Sequence, residues 1–459
     1  MSLPVILIFD VGKTNKKILL FDEQYKQVYE ESVQFEETVD EDGFPCEDVN
    51  VLTKWVWEKF WQLASNKDYT IRGVNFSAYG ASLVHLNDYY KPFTPLYNYL
   101  KPYPEELRKQ FYDTYGGESL VAKQTASPVL GSLNSGMQFY RLKYEKPKIF
   151  QQIKYSLHLP QYLSFIISKK VASDITSIGC HTNLWDFQKN KYHEWVKKEK
   201  IYTKLAPIFN ADKILRRNDA KTIPTGIGLH DSSAALIPYL SSFHEPFILL
   251  STGTWNINLN PFNHQMLSDY ELHHDCLCYL TYKGKPVKAS RLFAGYEHEQ
   301  QVKKLAVHFN KAVDHYKGIH YNVTLLGTNE FLQLKQTRSI AILQQSHFAE
   351  RDLNDFKTYE EAYHQLIADI ITQQVISTKL VLHSTPVKKV FVDGGFGKNQ
   401  IFMNLLAAAF PDIEVYAAAI TQASALGAAM AIHKHWNKNI LPSNIIELKY
   451  YAAANSVRL

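Results

Sequence analysis

The 459 residues carry 50 Lys and Arg against 45 Asp and Glu, a net charge of +5, with 46% hydrophobic and 21% charged residues. This composition is globular and excludes a disordered or fibrous chain; the small, scattered basic excess also excludes a nucleic-acid binder held by a charged patch. At roughly 150 residues per domain the length implies two to three domains.

Four cysteines (Cys46, Cys180, Cys276, Cys278) are too few for a disulfide framework, which points to a reducing compartment. The opening residues lack a basic stretch before their short apolar run, and no apolar segment reaches about 18 residues. The expectation is a soluble, cytoplasmic protein with no membrane partner and no nucleic-acid partner.

Taken in chain order, Val5–Phe9 and Lys17–Phe21 predict two strands around the polar turn Asp10–Asn15, a hairpin. Asn75–Leu86 predicts a strand interrupted at Ala78–Ser82. Pro104–Tyr112 begins as a helix, with Pro first and Glu105 and Glu106 in the first turn. Pro147–Trp195 reads as mixed helix and loop. A second hairpin follows: Phe247–Leu250, the turn Ser251–Asn256, and Ile257–Leu259. Shifting the first turn by 241 positions sets Gly12 on Gly253, Asn15 on Asn256 and Asp10 on Ser251. Residues 260–346 are poorly patterned. Beyond them, Tyr359–Val381 has helical periodicity, Val387–Val392 and Ile413–Ala418 predict strands, and Asn399–Phe410 and Thr421–His435 predict helices, the last capped by Thr421. Alternating strands and helices make this half α/β.

Five segments carry candidate chemistry. A turn between buried strands with Gly and small polar residues presents backbone N–H groups to anions, so Gly12, Lys13, Thr14 and Asn15 are candidate phosphate ligands, with Lys13 and Lys17 supplying charge. Asp10 at its mouth offers the hard oxygen that Mg²⁺ prefers. The competing reading is a Lys-rich surface hairpin. A Walker loop is excluded because Leu7 stands where its first Gly belongs, and a Rossmann loop because Asp231 stands where the third Gly would follow Gly226 and Gly228. Gly253 and Thr254 form a second turn of the phosphate type, or a plain turn. Asp393–Asn399, with Gly394 and Gly395 between a strand and a helix, suits close backbone approach to a ligand, or a tight loop. Asp231, opening a helix of small residues, is a general base or a helix cap. The run His273–Cys278 lacks a second ligand pair at zinc spacing, and Cys276 and Cys278 read as small hydrophobes on one strand face.

In this order the segments resemble the FGGY family of carbohydrate kinases over almost the whole chain. The family's Asp-x-Gly-Thr-x-x-x-Arg/Lys motif stands as Asp10-Val-Gly12-Lys-Thr-Asn-Lys-Lys17, its Gly-x-x-Asp as Gly228-Leu-His-Asp231, its Gly-Thr core as Gly253-Thr254, its Gly-Gly…Asn as Gly394-Gly395…Asn399. The closing Ser-Ala-Leu-Gly-Ala-Ala runs from Ser424 to Ala429. His230-Asp231 and Thr252-Gly253-Thr254-Trp255 are similar to the rhamnulokinase and fuculokinase members.

The resemblance implies two ribonuclease-H-like domains of the actin and hexokinase type, residues 1–240 and 241–459, around a cleft. It implies ATP and Mg²⁺ as cofactors, Asp231 as catalytic base, Asp10 at the metal, and Gly394, Gly395 and Asn399 at the adenosine. Gly80, His230 and Ser232 would contact a sugar substrate, and a homodimer follows only by analogy. Four departures stand out. Lys13 replaces a small residue, Tyr79 a Trp and Gln422 a Glu, and Tyr97–Pro102 occupies the place of a Trp-x-Asp-x-Arg sugar segment. A sugar-independent ATPase and a sugar-sensing binding protein are the alternatives.

Overall fold

A computed structural model describes residues 2–216, 223–326, 343, 346–420, 422–442 and 444–452. Its first sheet has seven strands: β1 (Leu3–Val11), β2 (Lys16–Asp22), β3 (Gln27–Val33), β4 (Tyr69–Ala78), β5 (Ile214–Leu215), β6 (Thr225–Gly226) and β7 (Leu229–His230). The order is β5-β6-β4-β1-β2-β3, with β7 also paired to β4. Central β1 runs antiparallel to β2 and parallel to β4.

Because side chains alternate across a strand, β1 serves two cores at once. Val5, Leu7, Phe9 and Val11 face helices α1 (Val49–Ala64) and α2 (Leu159–Ser168), whereas Ile6 and Ile8 face the opposite way. Burial on both faces explains the unbroken apolar run. The predicted segment Asn75–Leu86 resolves into the end of β4 and a separate strand, Leu83–Leu86, with Ala81 at φ +61° making the bend.

Helices α3 (Asp231–Ala235) and α4 (Ile237–Ser242) join the halves: Ala234 and Ile237 pack with the first sheet, Leu236 and Tyr239 with the second. The second sheet holds β8 (Phe247–Thr252), β9 (Asn256–Asn260), β10 (Cys276–Leu280), β11 (Pro286–Leu292), β12 (Lys389–Gly394), β13 (Glu414–Ala419) and β14 (Glu447–Tyr451), in the order β10-β11-β9-β8-β12-β13-β14. Strand by strand, β11-β9-β8-β12-β13-β14 repeats the order and directions of β3-β2-β1-β4-β6-β5. The two-domain, actin-like architecture is therefore present.

The two hairpins differ by one residue. Val11 pairs with Lys16, but Thr252 pairs with Asn256, so Asn256 is already in the strand whereas Asn15 lies in the turn. The 241-residue shift holds as far as Gly253 and fails after it.

Residues 260–346, opaque in the sequence, contain β10, β11 and α5 (Ala294–His308). Their neighbour β9 buries Asn256, Asn258 and Asn260 against α6 (Tyr359–Leu382), bonded to Gln374, to Ser290 and Ser377, and to the Val381 carbonyl. An amide-lined core face hides the usual apolar alternation. Cys276 and Cys278 are buried in β10, as read. Helix α7 spans Gln400–Ala409 with Asn399 as its cap, and α8 spans Ala423–Ala431, shorter than expected. The proposed cap Thr421 lies outside the described residues; Gln422, at φ +59°, occupies the cap position. Helix α8 lies on the first sheet, with Ala425, Ala428 and Ala429 beside Ile6 and Ile8. No helix among the described residues is long and apolar enough to cross a membrane.

Candidate active site

The register of the first sheet converges the chemistry. Asp10 is level with Ser77 on β4, Ser77 is level with Leu229 on β7, and Ala78 with His230. Asp231 follows at once as the first residue of α3. Asp10 and Asp231 therefore sit at the same end of one sheet. Burial pushes both carboxyls up to about 6, and the charge of Asp231 adds to the shift at Asp10. The Ser424 hydroxyl from α8 donates to Asp10 Oδ2 at 2.8 Å, opposing that shift. Thus the closing Ser-Ala-Leu-Gly-Ala-Ala segment braces the first motif, a link the sequence does not disclose.

Asp231 does not act as a side-chain cap reaching along its helix. Its Oδ1 accepts from the Ser232 backbone N–H at 2.6 Å and from the Ser232 hydroxyl at 3.3 Å, and His230 Nε2 lies 3.3 Å away. No hydrogen bond reaches Oδ2 among the described residues. His230 is buried and neutral, its pKa lowered to about 3 by desolvation. A Cβ on Gly80 would stand 2.8 Å from Cys180 Sγ and 3.0 Å from the His230 ring, so only Gly leaves this space open. Gly80, His230, Asp231 and Ser232 are thus brought together.

The first turn corrects part of the sequence expectation. Lys13 does not point its ammonium at a phosphate position; it pairs with Glu37 at 2.8 Å and Glu47 at 3.4 Å, because Glu47 is buried beside Lys16 and Tyr79 and draws cations inward. The Gly12 amide donates to the Asn15 carbonyl at 2.9 Å and the Gly253 amide to the Trp255 carbonyl at 3.0 Å. Those two amides close their turns. Asn15 Oδ1 accepts from Gln34, and Thr14 is exposed at the tip. Lys17 stands nearer the metal position expected at Asp10, its strand partner, held by Gln422 at 3.0 Å and Glu30 at 3.3 Å.

On the second sheet, Gly253, Gly395 and Asn399 line one cavity of about 500 Å³ together with Gly295, His298, Tyr316, Lys317 and Phe396. Thr254 and Gly253 line an adjoining one. Gly394, at φ +88°, is required by packing: a Cβ there would meet the Thr252 carbonyl oxygen at 1.8 Å. Asn399 contributes its backbone and body to the cavity but spends its amide elsewhere. Its Oδ1 caps α7 at Ile401 and Phe402, and its Nδ2 donates to Tyr363.

Sequence reasoning missed Gly295 and His298. A Cβ on Gly295 would lie 1.8 Å from the Gly253 carbonyl oxygen, so this glycine lets α5 abut the second turn. His298, bonded to the Tyr363 hydroxyl at 3.0 Å, stands in no motif and gives no sequence signal.

Residues 5–237 match the N-terminal domain of the FGGY family of carbohydrate kinases and residues 244–439 match the carbohydrate kinase FGGY C-terminal domain. A rhamnulokinase of Halalkalibacterium halodurans is 23% identical over 189 residues; the match spans 39% of this chain and 39% of that protein. A carbohydrate kinase from Novosphingobium aromaticivorans superposes with a TM-score of 0.78 at 22% identity, covering 98% of this chain and 95% of that one. A xylulose kinase and a gluconate kinase from Lactobacillus acidophilus reach 0.77 and 0.76 at 17% and 18% identity, each covering 98% of this chain and 94% of theirs. At these identities the structural likeness establishes the fold.

Proposed function

Because the chain belongs to the FGGY family of carbohydrate kinases, we propose that it transfers the γ-phosphoryl group of ATP to a hydroxyl of a small sugar, a ketose such as L-rhamnulose or L-fuculose. The observation that carries this reading is the placement of two partly exposed carboxylates, Asp10 and Asp231, at one end of the first sheet. Phosphoryl transfer is largely positioning and charge neutralisation, so a site of this kind needs one carboxylate for a cation and one for a proton.

Asp231 is the base. With its pKa near 6 it is ionised at neutral pH yet still basic enough to take the proton of the attacking hydroxyl. Ser232 fixes Oδ1, leaving Oδ2 to accept that proton. Gly80 leaves room for the sugar, and neutral His230 offers a hydrogen bond without competing charge.

Asp10 fits Mg²⁺: it is a hard carboxylate, oriented by Ser424, in surroundings where burial leaves its charge in need of a counter-ion. When bound, that ion supplies charge neutralisation at the β and γ phosphates. Lys17 adds positive charge beside the first turn, and Thr14 and Thr254 offer exposed hydroxyls. Gly395 and Asn399 form the cavity wall for the adenosine, with Gly394 shaping the approach.

The sugar assignment draws support from His230-Asp231 and Thr252–Trp255, whose pattern matches rhamnulokinase and fuculokinase members, and from the partial rhamnulokinase match. An ADP-release assay across a panel of ketoses and polyols tests the reading. The expected result is release that depends on one ketose, lowered about 10²- to 10⁴-fold in Asp231→Asn while ATP affinity persists. Equal ADP release with and without any sugar, unaffected by Asp231→Asn, would identify an ATPase instead.

A further inference from the structure

Beside the base lies a group of side chains of which the proposed transfer uses only His230. Cys180, His181 and His230 are all buried and offer one ligand atom each within 4.8 Å of one another. The segment carrying the first two is held firmly. Asp174 caps the short helix Ile175–Ile178 that precedes them, and the Thr176 hydroxyl accepts from the His230 backbone N–H at 3.0 Å.

The two imidazole donors are also prepared, whereas burial pushes the Cys180 thiol up, so the ion itself must draw off that proton. His181 Nδ1 lies 3.1 Å from the Leu133 carbonyl oxygen. A carbonyl only accepts, so Nδ1 carries the hydrogen and Nε2 keeps its lone pair; this is the orientation that a backbone carbonyl imposes on metal-binding histidines. His230 Nε2 faces the Asp231 carboxylate, which leaves Nδ1 with the lone pair, and Nδ1 is buried without a hydrogen-bond partner. Both rings are neutral at pH 7, as metal ligation requires, with burial holding their pKa values near 3. His181 holds φ +36°, a backbone conformation unfavourable for any residue with a Cβ. Such outliers cluster where a side chain must be aimed.

We infer that Cys180, His181 and His230 form a three-ligand site for Zn²⁺, a borderline-soft divalent ion, whose occupation blocks the sugar side of the active site. Tetrahedral Zn²⁺ with bonds of ~2.0–2.3 Å requires ligand separations of roughly 3.3–3.8 Å, so three atoms within 4.8 Å of one another need close up by no more than about 1.5 Å on binding. Gly80, with no side chain between Cys180 and His230, leaves space for that movement. Binding exchanges one proton for the metal: the Cys180 thiol loses its hydrogen to solvent and its sulfur becomes the thiolate ligand. The ion then holds His230 and places its charge beside Asp231. Inhibition of sugar phosphorylation rests on the proposed function; metal binding does not.

The test uses the purified full-length protein and Co²⁺ as a spectroscopic stand-in for Zn²⁺. One equivalent of Co²⁺ is expected to bind with a thiolate-to-cobalt charge-transfer absorption that Zn²⁺ displaces. That absorption is lost in Cys180→Ser and weakened in His181→Asn, with folding of both checked by circular dichroism. In the ADP-release assay, Zn²⁺ inhibits competitively with sugar, and Cys180→Ser keeps the uninhibited rate but needs at least tenfold more Zn²⁺ for half-inhibition. A cobalt spectrum without thiolate character, or one unchanged by Cys180→Ser, overturns the site. A thiolate spectrum with phosphorylation insensitive to Zn²⁺ overturns the inhibitory role alone. A thiolate spectrum in a protein that phosphorylates no sugar leaves the site standing and defeats the kinase reading.

Discussion

Replacing Gly427 with alanine tests whether the helix pair under the active site sets the position of the base. Gly427 lies in α8 against α3, and a Cβ there would stand 1.9 Å from the Ala234 carbonyl oxygen. The helices must separate by about an ångström to admit it, since packed interiors do not absorb such an overlap by compression. Ala234 is three residues from Asp231 on the same short helix, so the displacement reaches the carboxylate. Over-packing of this kind costs about 1–3 kcal/mol of stability. Misplacing a reacting group by an ångström lowers turnover about 100-fold. Urea denaturation read alongside the ADP-release assay separates the two effects. Gly427→Ala with a lowered midpoint and unchanged kcat would refute the claim that α8 positions Asp231.

The pH dependence has opposite signs for activity and stability. Turnover should fall about tenfold per pH unit below about 6, as Asp231 protonates; a profile flat to pH 5 would remove Asp231 as base. Asp10, Asp231 and Asp393 all have folded pKa values raised to about 6 from 3.8, so the folded chain binds more protons than the unfolded one between those values. Their contribution to stability is present below about pH 4 and lost as pH rises through 6, and metal-free protein should melt higher at pH 5 than these groups allow at pH 7. Finally, Lys13→Ala should raise the KM for ATP less than about threefold, because Lys13 is committed to Glu37 and Glu47 and Lys16 still pairs Glu47. A tenfold rise would show that the ammonium swings to the phosphates.

The elements most legible in the sequence are those whose pattern is forced locally. Val5–Phe9 is apolar on both faces because β1 is central, and Asp10 and Asp231 stand out as carboxylates at the ends of such strands. The hairpin glycines were legible as turn residues, but their amides are consumed in closing the turns, which only the coordinates disclose. Asn256 read as a turn residue and Asn260 as the start of an unpatterned stretch because asparagine on a core face is rare, and their partners lie more than 100 positions away in α6. Gly295 and His298 carry no local signal; their roles arise from contact with the second turn and with Tyr363. An alanine-rich helix says that it packs closely but not against what, so the seat of α8 on the first sheet was invisible.

That seat has a consequence for biosynthesis. Ile6 and Ile8 leave the ribosome more than 400 residues before Ala425, Ala428 and Ala429, which cover them. At about 5–20 residues per second, the underside of the first sheet waits tens of seconds for α8, covered until then only by residues such as Leu229, Ala234 and Ile237. The nascent chain must tolerate that exposed apolar face, and a chain cut near residue 240 never covers it. The two halves repeat each other in strand order, yet the first is not complete on its own: a helix near the end of the chain is the missing wall of its sheet.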